Sequence, residues 1–411
     1  MSSGCSATSP TTADEGTYRD ESGHIHPEHG AGARVTATPS GILCRMITKL
    51  RAGAAQWTVV VPVVSFVVLA LTWHEDLPGW VVGVVACFLV AAVLSAVHHA
   101  EVIAHWSGEP FGSLVLAVAV TVIEVALIVT LMADGGAKSS TLARDTVFAA
   151  VMITCNGILG LSILVAAVKY RTAVFNAEGT GAALACIAAL ATLSLVLPTF
   201  TTSSPGPQFS TTQLTYAATA SLVVYGMFVA TQTVRHRDYF LAVNTEGRVL
   251  DEEEHATPPT LRAAGVSLLL LGVALVSVVG LAKGVSPTIE KAVEDAGLPH
   301  AVVGVVIAMM VLLPETIAAL RAAVRNRVQT SLNLALGSAL ASIGLTIPAV
   351  AIASSWLPGP LVLGLDPAHM VLLTLTVVLG ILTVIPRRAT PLQGAVHLAV
   401  LAGYVVLAVN P

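Results

Sequence analysis

Eleven apolar stretches follow one another through this chain, at roughly 56–73, 79–98, 112–133, 145–168, 180–199, 213–233, 262–282, 301–320, 330–353, 367–385 and 391–409. About twenty helical residues rise 30 Å, the thickness of a bilayer's hydrocarbon core. No water meets an unpaired backbone group there, so a spanning segment must be a helix or a strand of a closed barrel. Barrel strands alternate apolar and polar residues, and these runs do not. Composition agrees: 11% of the 411 residues are charged, against about a quarter in a soluble domain. The sequence therefore reads as an all-α polytopic membrane protein of about eleven transmembrane helices.

Residues 1–50 differ from the rest. They are rich in Ser, Thr, Gly and His, lack an apolar core, and show no hydrophobic region before a cleavage site. A disordered cytoplasmic tail with no signal peptide is expected. Its His24, His26 and His29 are metal-ligand types, but no fold holds them in a coordinating geometry. The five cysteines are scattered without CxxC pairing, so free thiols are expected. No basic patch with interleaved aromatics points to nucleic acid, and no motif asks for a cofactor.

With the N-terminus inside, cytoplasmic segments hold sixteen of the 20 basic residues, and the outer loops hold Lys138, Arg144, Lys283 and Lys291. That bias sets the orientation under the positive-inside rule and leaves the C-terminus outside. Trp57, Trp73, Trp80, Trp106 and Trp356 all fall at or just past span ends, where an amphipathic indole prefers to lie.

Against this background two carboxylates stand out. "LAVAVTVIEVALIVTLM" (116–132) carries only Glu124, and "GVVIAMMVLLPETIAAL" (304–320) carries only Glu315. The other acidic residues lie in the tail, in loops or near span ends. An intramembrane charge costs about 2.5–3.5 kcal/mol even on the lenient insertion scale. A structural glutamate, protonated or bonded to nearby backbone, would account for one of them more easily than for two at matching places.

The places do match. Glu124 lies in span 3 and Glu315 in span 8, so the two helices cross in opposite directions. With 51–78 set aside as a first helix and loop, residues 79–233 and 262–411 form two five-helix sets. They are joined by a cytoplasmic loop at 234–261, and each has its glutamate in its second helix. That is the layout of an inverted-topology repeat with a midplane site. The helix after each glutamate carries small and polar residues: Thr154, Asn156 and Gly157 in one, Ser331, Asn333, Ser338 and Ser342 in the other. Close helix packing alone would also use such residues. Pro314 precedes Glu315 and cannot donate a hydrogen bond, so the Met310 carbonyl loses its helical partner. The freed oxygen is either a cation ligand or the by-product of a packing kink.

The segments "GEPFGSLVLAVAVTVIEVALIVTLM" (108–132) and "VLLPETIAALRAAVRNRVQTSLNLALGSALASIGLTIP" (311–348) resemble the two α-repeats of the cation/Ca²⁺ exchanger superfamily. Within it they look most like bacterial ChaA-type calcium (or sodium, potassium)/proton antiporters. The resemblance covers roughly residues 50–410. It implies eleven helices as one plus five plus five, in a bacterial cytoplasmic (inner) membrane. It also implies alternate binding of cation and proton by Glu124 and Glu315. Glu109 matches a further repeat glutamate near the cytoplasmic mouth, Asn156 the asparagine of the first repeat's second helix, and Gly337 and Ser338 the Gly-Ser of the second. Relatives commonly carry Gly-Asn before each glutamate, where this chain has Val120-Thr121 and Val311-Leu312. Ser342 stands where Gln or Asn is frequent. These departures leave Na⁺ and K⁺ open beside Ca²⁺. Related exchangers place a cation-sensing acidic helix in the long loop; Asp251, Glu252, Glu253 and Glu254 stand there, and a solvated charge run is the simpler reading.

Two carboxylates sharing a dry site cannot both stay charged cheaply, so protons occupy the site until a cation displaces them. Crossing the membrane empty and doubly charged is too costly, which links the two fluxes. Calcium would ask for about six to eight oxygens, from Glu124, Glu315, Thr121, the Met310 carbonyl, hydroxyls such as Ser338 and Ser342, and water. The partners are thus a transported cation, protons and the lipid bilayer, with homo-oligomerisation left open. "AVHHAEVIAH" adds His98, His99, Glu101 and His105 near a span end, as proton relays or as interfacial polar residues. His397, alone in span 11, reads as a packed polar residue. No HExxH, GxSxG or GxGD motif favours an intramembrane enzyme, and a channel would need no counter-ion.

Overall fold

A computed structural model describes residues 57–73, 78–108, 111–135, 140–243, 259–299, 301–357 and 359–411. The tail histidines, Glu109 and the acids Asp251 to Glu254 lie outside them. Eleven helices follow in order: α1 Trp57–Thr72, α2 Gly79–Ser107, α3 Phe111–Gly135, α4 Leu142–Tyr170, α5 Ala177–Phe200, α6 Thr211–Arg235, α7 Leu261–Asp295, α8 Ala301–Val324, α9 Val328–Ala353, α10 Pro367–Val384 and α11 Pro391–Val409. Among the described residues nine are long and apolar enough to cross a membrane, and α1 and the Val118–Ala133 part of α3 are shorter apolar helices. Each coincides with one of the eleven stretches read from the sequence. The chain is a multi-pass, all-α membrane protein.

Two helices outrun their apolar stretches. Helix α2 continues to Ser107 because 99–107 contains no Gly or Pro, and it stops at Gly108, which takes φ 68°. A residue without Cβ adopts that conformation at no steric cost. Helix α7 runs on through Pro287 to Asp295.

Residues 59–411 pack as one unit. One apolar cluster gathers α4, α5, α9, α10 and α11 around Phe148, Ile163 and Leu190. A second gathers α2, α3 and α7 around Val93, Ile128 and Val278. Helix α2 packs along α7, α3 against α9, and α4 against α8. Tryptophans 57, 73, 80, 106 and 356 are all exposed at helix ends. Small polar residues tie helices together within the unit: the Ser331 hydroxyl donates to that of Ser162 across α9 and α4 at 2.7 Å. Beyond α4 and α10 the chain forms a short antiparallel pair, β1 Ala173–Val174 with β2 Arg388–Ala389.

Among the described residues π-turns break α4 at Ile153–Ile158 and α9 at Ser342–Thr346, lead into the last 3-10 turn of α5 at Thr192–Val196 and end α6 at Thr231–Arg235. A π-turn shifts helix register and frees local backbone, and such turns gather at functional sites. Those of α4 and α9 lie in the helix that follows each intramembrane glutamate.

Helix α10 opens on Asp366, whose carboxylate accepts from the His369 backbone N–H at 3.0 Å and pairs with the His369 ring. Burial pushes this carboxyl up, but the His369 amide and ring, with Arg144, outweigh it and hold Asp366 below its ordinary value. A depressed carboxyl stabilises the fold above its unfolded-state value, and that contribution is lost as pH falls through the lowered one. Asp366→Asn should therefore flatten the acid side of the stability profile, read as thermal unfolding of the detergent-solubilised protein against pH. An unchanged acid limb would remove Asp366 from the account.

Candidate functional site

Glu124 projects from the middle of α3 and is 5% exposed. Its Oε1 accepts a hydrogen bond from the Ser342 hydroxyl at 2.6 Å. Ser342 opens the π-turn of α9, so the break in that helix is what faces the first carboxylate. Glu315 projects from α8 directly after Pro314. Its Oε2 is buried and meets no hydrogen-bond partner. A buried carboxylate oxygen without a partner is costly unless it takes up a proton or a cation.

Both glutamates line one cavity of about 200 Å³. Its walls are Val120, Thr121 and Glu124 of α3, Leu312 and Glu315 of α8, Tyr225, Phe228, Val229 and Gln232 of α6, and a stripe of α9 from Thr330 to Ser342. Of the residues singled out in the sequence, the cavity gathers Val120, Thr121, Glu124, Leu312, Glu315, Asn333, Gly337, Ser338 and Ser342. Pro314 lies within α8 but is not on the wall. Met310 packs half-buried in the apolar cluster of α2, α3 and α7. Asn156 is fully buried in the π-turn of α4 and bonds away from the cavity, to Thr376 and His397.

The α6 wall was not foreseen. Tyr225, Phe228, Val229 and Gln232 follow an i, i+3, i+4, i+7 spacing, so they share one helix face. The faint signal was Tyr225 and Gln232, two polar residues seven apart among the Thr and Ser residues scattered through this span. Tyr225 is held by Gly344 of α9: a Cβ there would stand 2.6 Å from the Tyr225 Cβ. Among the described residues no three His, Cys, Asp or Glu side chains converge. A cation here must complete its shell with hydroxyls, carbonyls and water around two carboxylates. Such a shell suits an ion that binds and leaves, in contrast to a fixed structural metal.

A family model described as sodium/calcium exchanger protein matches residues 77–234 and 266–410, which takes in both glutamate helices and the α6 wall. The chain belongs to this family. Its members are ion antiporters, as the repeat motifs suggested. The exchanger chain is 46% identical over 358 residues to the putative ionic transporter y4hA of Sinorhizobium fredii (strain NBRC 101917 / NGR234), covering 86% of this chain and 96% of that one. It is 33% identical over 352 residues to the sodium-potassium/proton antiporter ChaA of Escherichia coli (strain K12), covering 85% and 95%. Its fold is that of native YfkE, with a TM-score of 0.64 at 17% identity over 86% of this chain and 100% of that one. The H⁺/Ca²⁺ exchanger CAX follows with 0.61 at 15% identity, over 85% and 91%. At these identities the likeness to the two structures is one of fold.

Proposed function

We propose that this exchanger carries a cation one way and protons the other, by alternating access at the pair Glu124 and Glu315. The observation that carries this reading is the shared cavity: two intramembrane carboxylates, each from the second helix of its five-helix set, face one space. One is bonded to Ser342 and the other has an oxygen without a partner. Protonated, each carboxyl is neutral and the site can cross the membrane. Ionised, the pair is neutralised by one divalent cation; a monovalent cation neutralises one carboxylate while the other keeps its proton. The empty, doubly charged site is the costly one, and its avoidance couples the fluxes.

Residues 79–233 and 262–411 act as inverted halves about this site, with 1–50 as a tail and 234–261 as their link. With the N-terminus inside, the far ends of the cavity wall, Gln232 of α6 and Thr330 of α9, lie toward the cytoplasm. The conformation is therefore inward-facing, in a bacterial inner membrane. Thr121, Ser338 and Ser342 offer neutral oxygens on the wall that the pair shares.

The ion is Ca²⁺, with Na⁺ or K⁺ as the alternative. The ChaA relative is a sodium-potassium/proton antiporter, and the Val-Thr and Val-Leu pairs supply no amide oxygens. Dissipation of ΔpH in everted vesicles, with Ca²⁺, Na⁺ and K⁺ added separately across pH, tests the proposal. Cation flux that moves no protons would point to a channel instead.

Pro314 gives the second half an oxygen that the first lacks. Pro314→Ala returns a hydrogen bond to the Met310 carbonyl, a change of about 1 kcal/mol. The expected result is an apparent Km for the cation raised by about five-fold, with little change in the pH optimum. An unaltered Km in the same vesicles would leave Pro314 as a packing kink.

A further inference from the structure

Asn156 and Ser342 hold the same place in their helices. Each is the fifteenth residue, counted from Leu142 to 156 and from Val328 to 342, and each lies in a π-turn. Ser342 turns its hydroxyl to Glu124. The α4 turn faces α8, and Ile158 clusters there with Ala319, one helical turn past Glu315. Yet Asn156 gives Glu315 nothing, and Glu315 Oε2 stays without a partner.

The Asn156 carboxamide is held by α10 and α11 instead. Its Nδ2 donates to Thr376 Oγ1 at 2.9 Å, and its Oδ1 lies 3.1 Å from His397 Nδ1. His397 Nε2 lies 3.1 Å from Thr383 Oγ1. Thr376 in turn donates its one hydroxyl proton to the Leu372 carbonyl at 2.8 Å. These directions fix one another. Thr376 must accept from the Asn156 amide, which turns Oδ1 toward His397. His397 then carries its proton on Nδ1, which it shares with the neighbouring Cys155 backbone carbonyl, and accepts from Thr383 on Nε2. Four hydrogen bonds run one way, through side chains that are almost fully buried. An apolar residue would fill this position without the cost of burying an imidazole. The imidazole is placed on the one atom of Asn156 that a cation can use.

We propose that His397 is a positioning residue of the exchange site: it holds the Asn156 carboxamide oxygen away from Glu315, so the first half lends that oxygen to the cation only in the stage of the cycle when the chain of bonds opens. This rests on the exchange reading above. The two halves thereby do different work in the inward-facing state. The second half satisfies its opposite glutamate through Ser342, and the first keeps its ligand in reserve.

The test is cation-dependent ΔpH dissipation in everted vesicles, with Ca²⁺, Na⁺ and K⁺ as probes. His397→Leu frees Asn156 at Oδ1, and Thr376→Val frees it at Nδ2 with the side-chain shape kept. Each should lower the apparent Km for the transported cation by about three- to ten-fold, the worth of one hydrogen bond. The maximal rate should fall as release slows. His397→Gln, which keeps a donor, should restore the wild-type Km, and in an Asn156→Ala background His397→Leu should have no further effect. A wild-type Km in both single variants overturns the proposal, as does a Km shift that persists without Asn156. If His397→Leu fails to insert, Thr376→Val and the Gln variant decide. Wild-type vesicles that exchange none of the three cations overturn the exchange reading itself, and this proposal with it. An active wild type beside indifferent variants counts against His397 alone.

Discussion

Glu124→Gln and Glu315→Gln are each expected to abolish cation/proton exchange while the protein still inserts and folds. Gln has the shape of Glu and can still accept the Ser342 hydroxyl, so the local packing around Glu124 survives. Insertion is no harder, because an amide costs less in an apolar helix than an ionised carboxylate. What is lost is the chemistry: the amide neither takes up and releases a proton nor neutralises a cation. With one glutamate gone the site can no longer alternate between two neutral loaded states. The expected rate is that of empty vesicles for every cation tested. Glu→Asp at either position keeps the charge but draws it back by one methylene, and it should retain partial exchange with a weakened Km. Either Gln variant running at near wild-type rate would show that its carboxylate does not carry the coupled ions.

The membrane helices were legible because the bilayer makes the demand locally. About twenty apolar residues are needed wherever the chain crosses, whatever their neighbours. The two glutamates were legible for the converse reason, since a charge inside such a stretch has a cost that little else explains. What escaped the sequence depends on how each helix is turned about its own axis. In a soluble helix an apolar stripe shows which face points inward. In α6 small polar residues such as Thr215, Thr219, Ser221 and Thr231 are spread around the helix, so nothing local announced that Tyr225, Phe228, Val229 and Gln232 would wall the cavity. The partner of Asn156 was hidden in the same way. His397 stands 241 positions away, and on its own it read as a packed polar residue. The end of α2 at Ser107 was missed because hydropathy marks where lipid ends, and a helix continues until its backbone is stopped, here by Gly108.

Gly394→Val is expected to unfold the α4–α11 crossing and with it the polar chain around Asn156. A Cβ on Gly394 would stand 2.7 Å from the Gly160 carbonyl oxygen and 2.7 Å from the Leu164 nitrogen. On Gly160 it would stand 2.8 Å from the His397 Cβ and 3.1 Å from the Gly394 carbonyl oxygen. Most of these are backbone atoms, which cannot rotate aside as the end of a side chain can. Membrane helices approach this closely only through such small residues. Overpacking in a core ordinarily costs about 1–3 kcal/mol. Here relief requires two helices to separate, so the top of that range is expected. The separation also pulls His397, three residues on from Gly394, off Asn156. The melting temperature of the solubilised protein should fall by several degrees, with exchange reduced in parallel. Gly403→Ala is the control on the same helix: its Cβ would meet nothing within 4 Å, and replacing a helical glycine by alanine removes freedom from the unfolded chain. That variant should melt at the wild-type temperature or slightly above. Gly394→Val melting with the control would mean that α4 and α11 do not touch at these two glycines, and the route from His397 to Asn156 would lose its support.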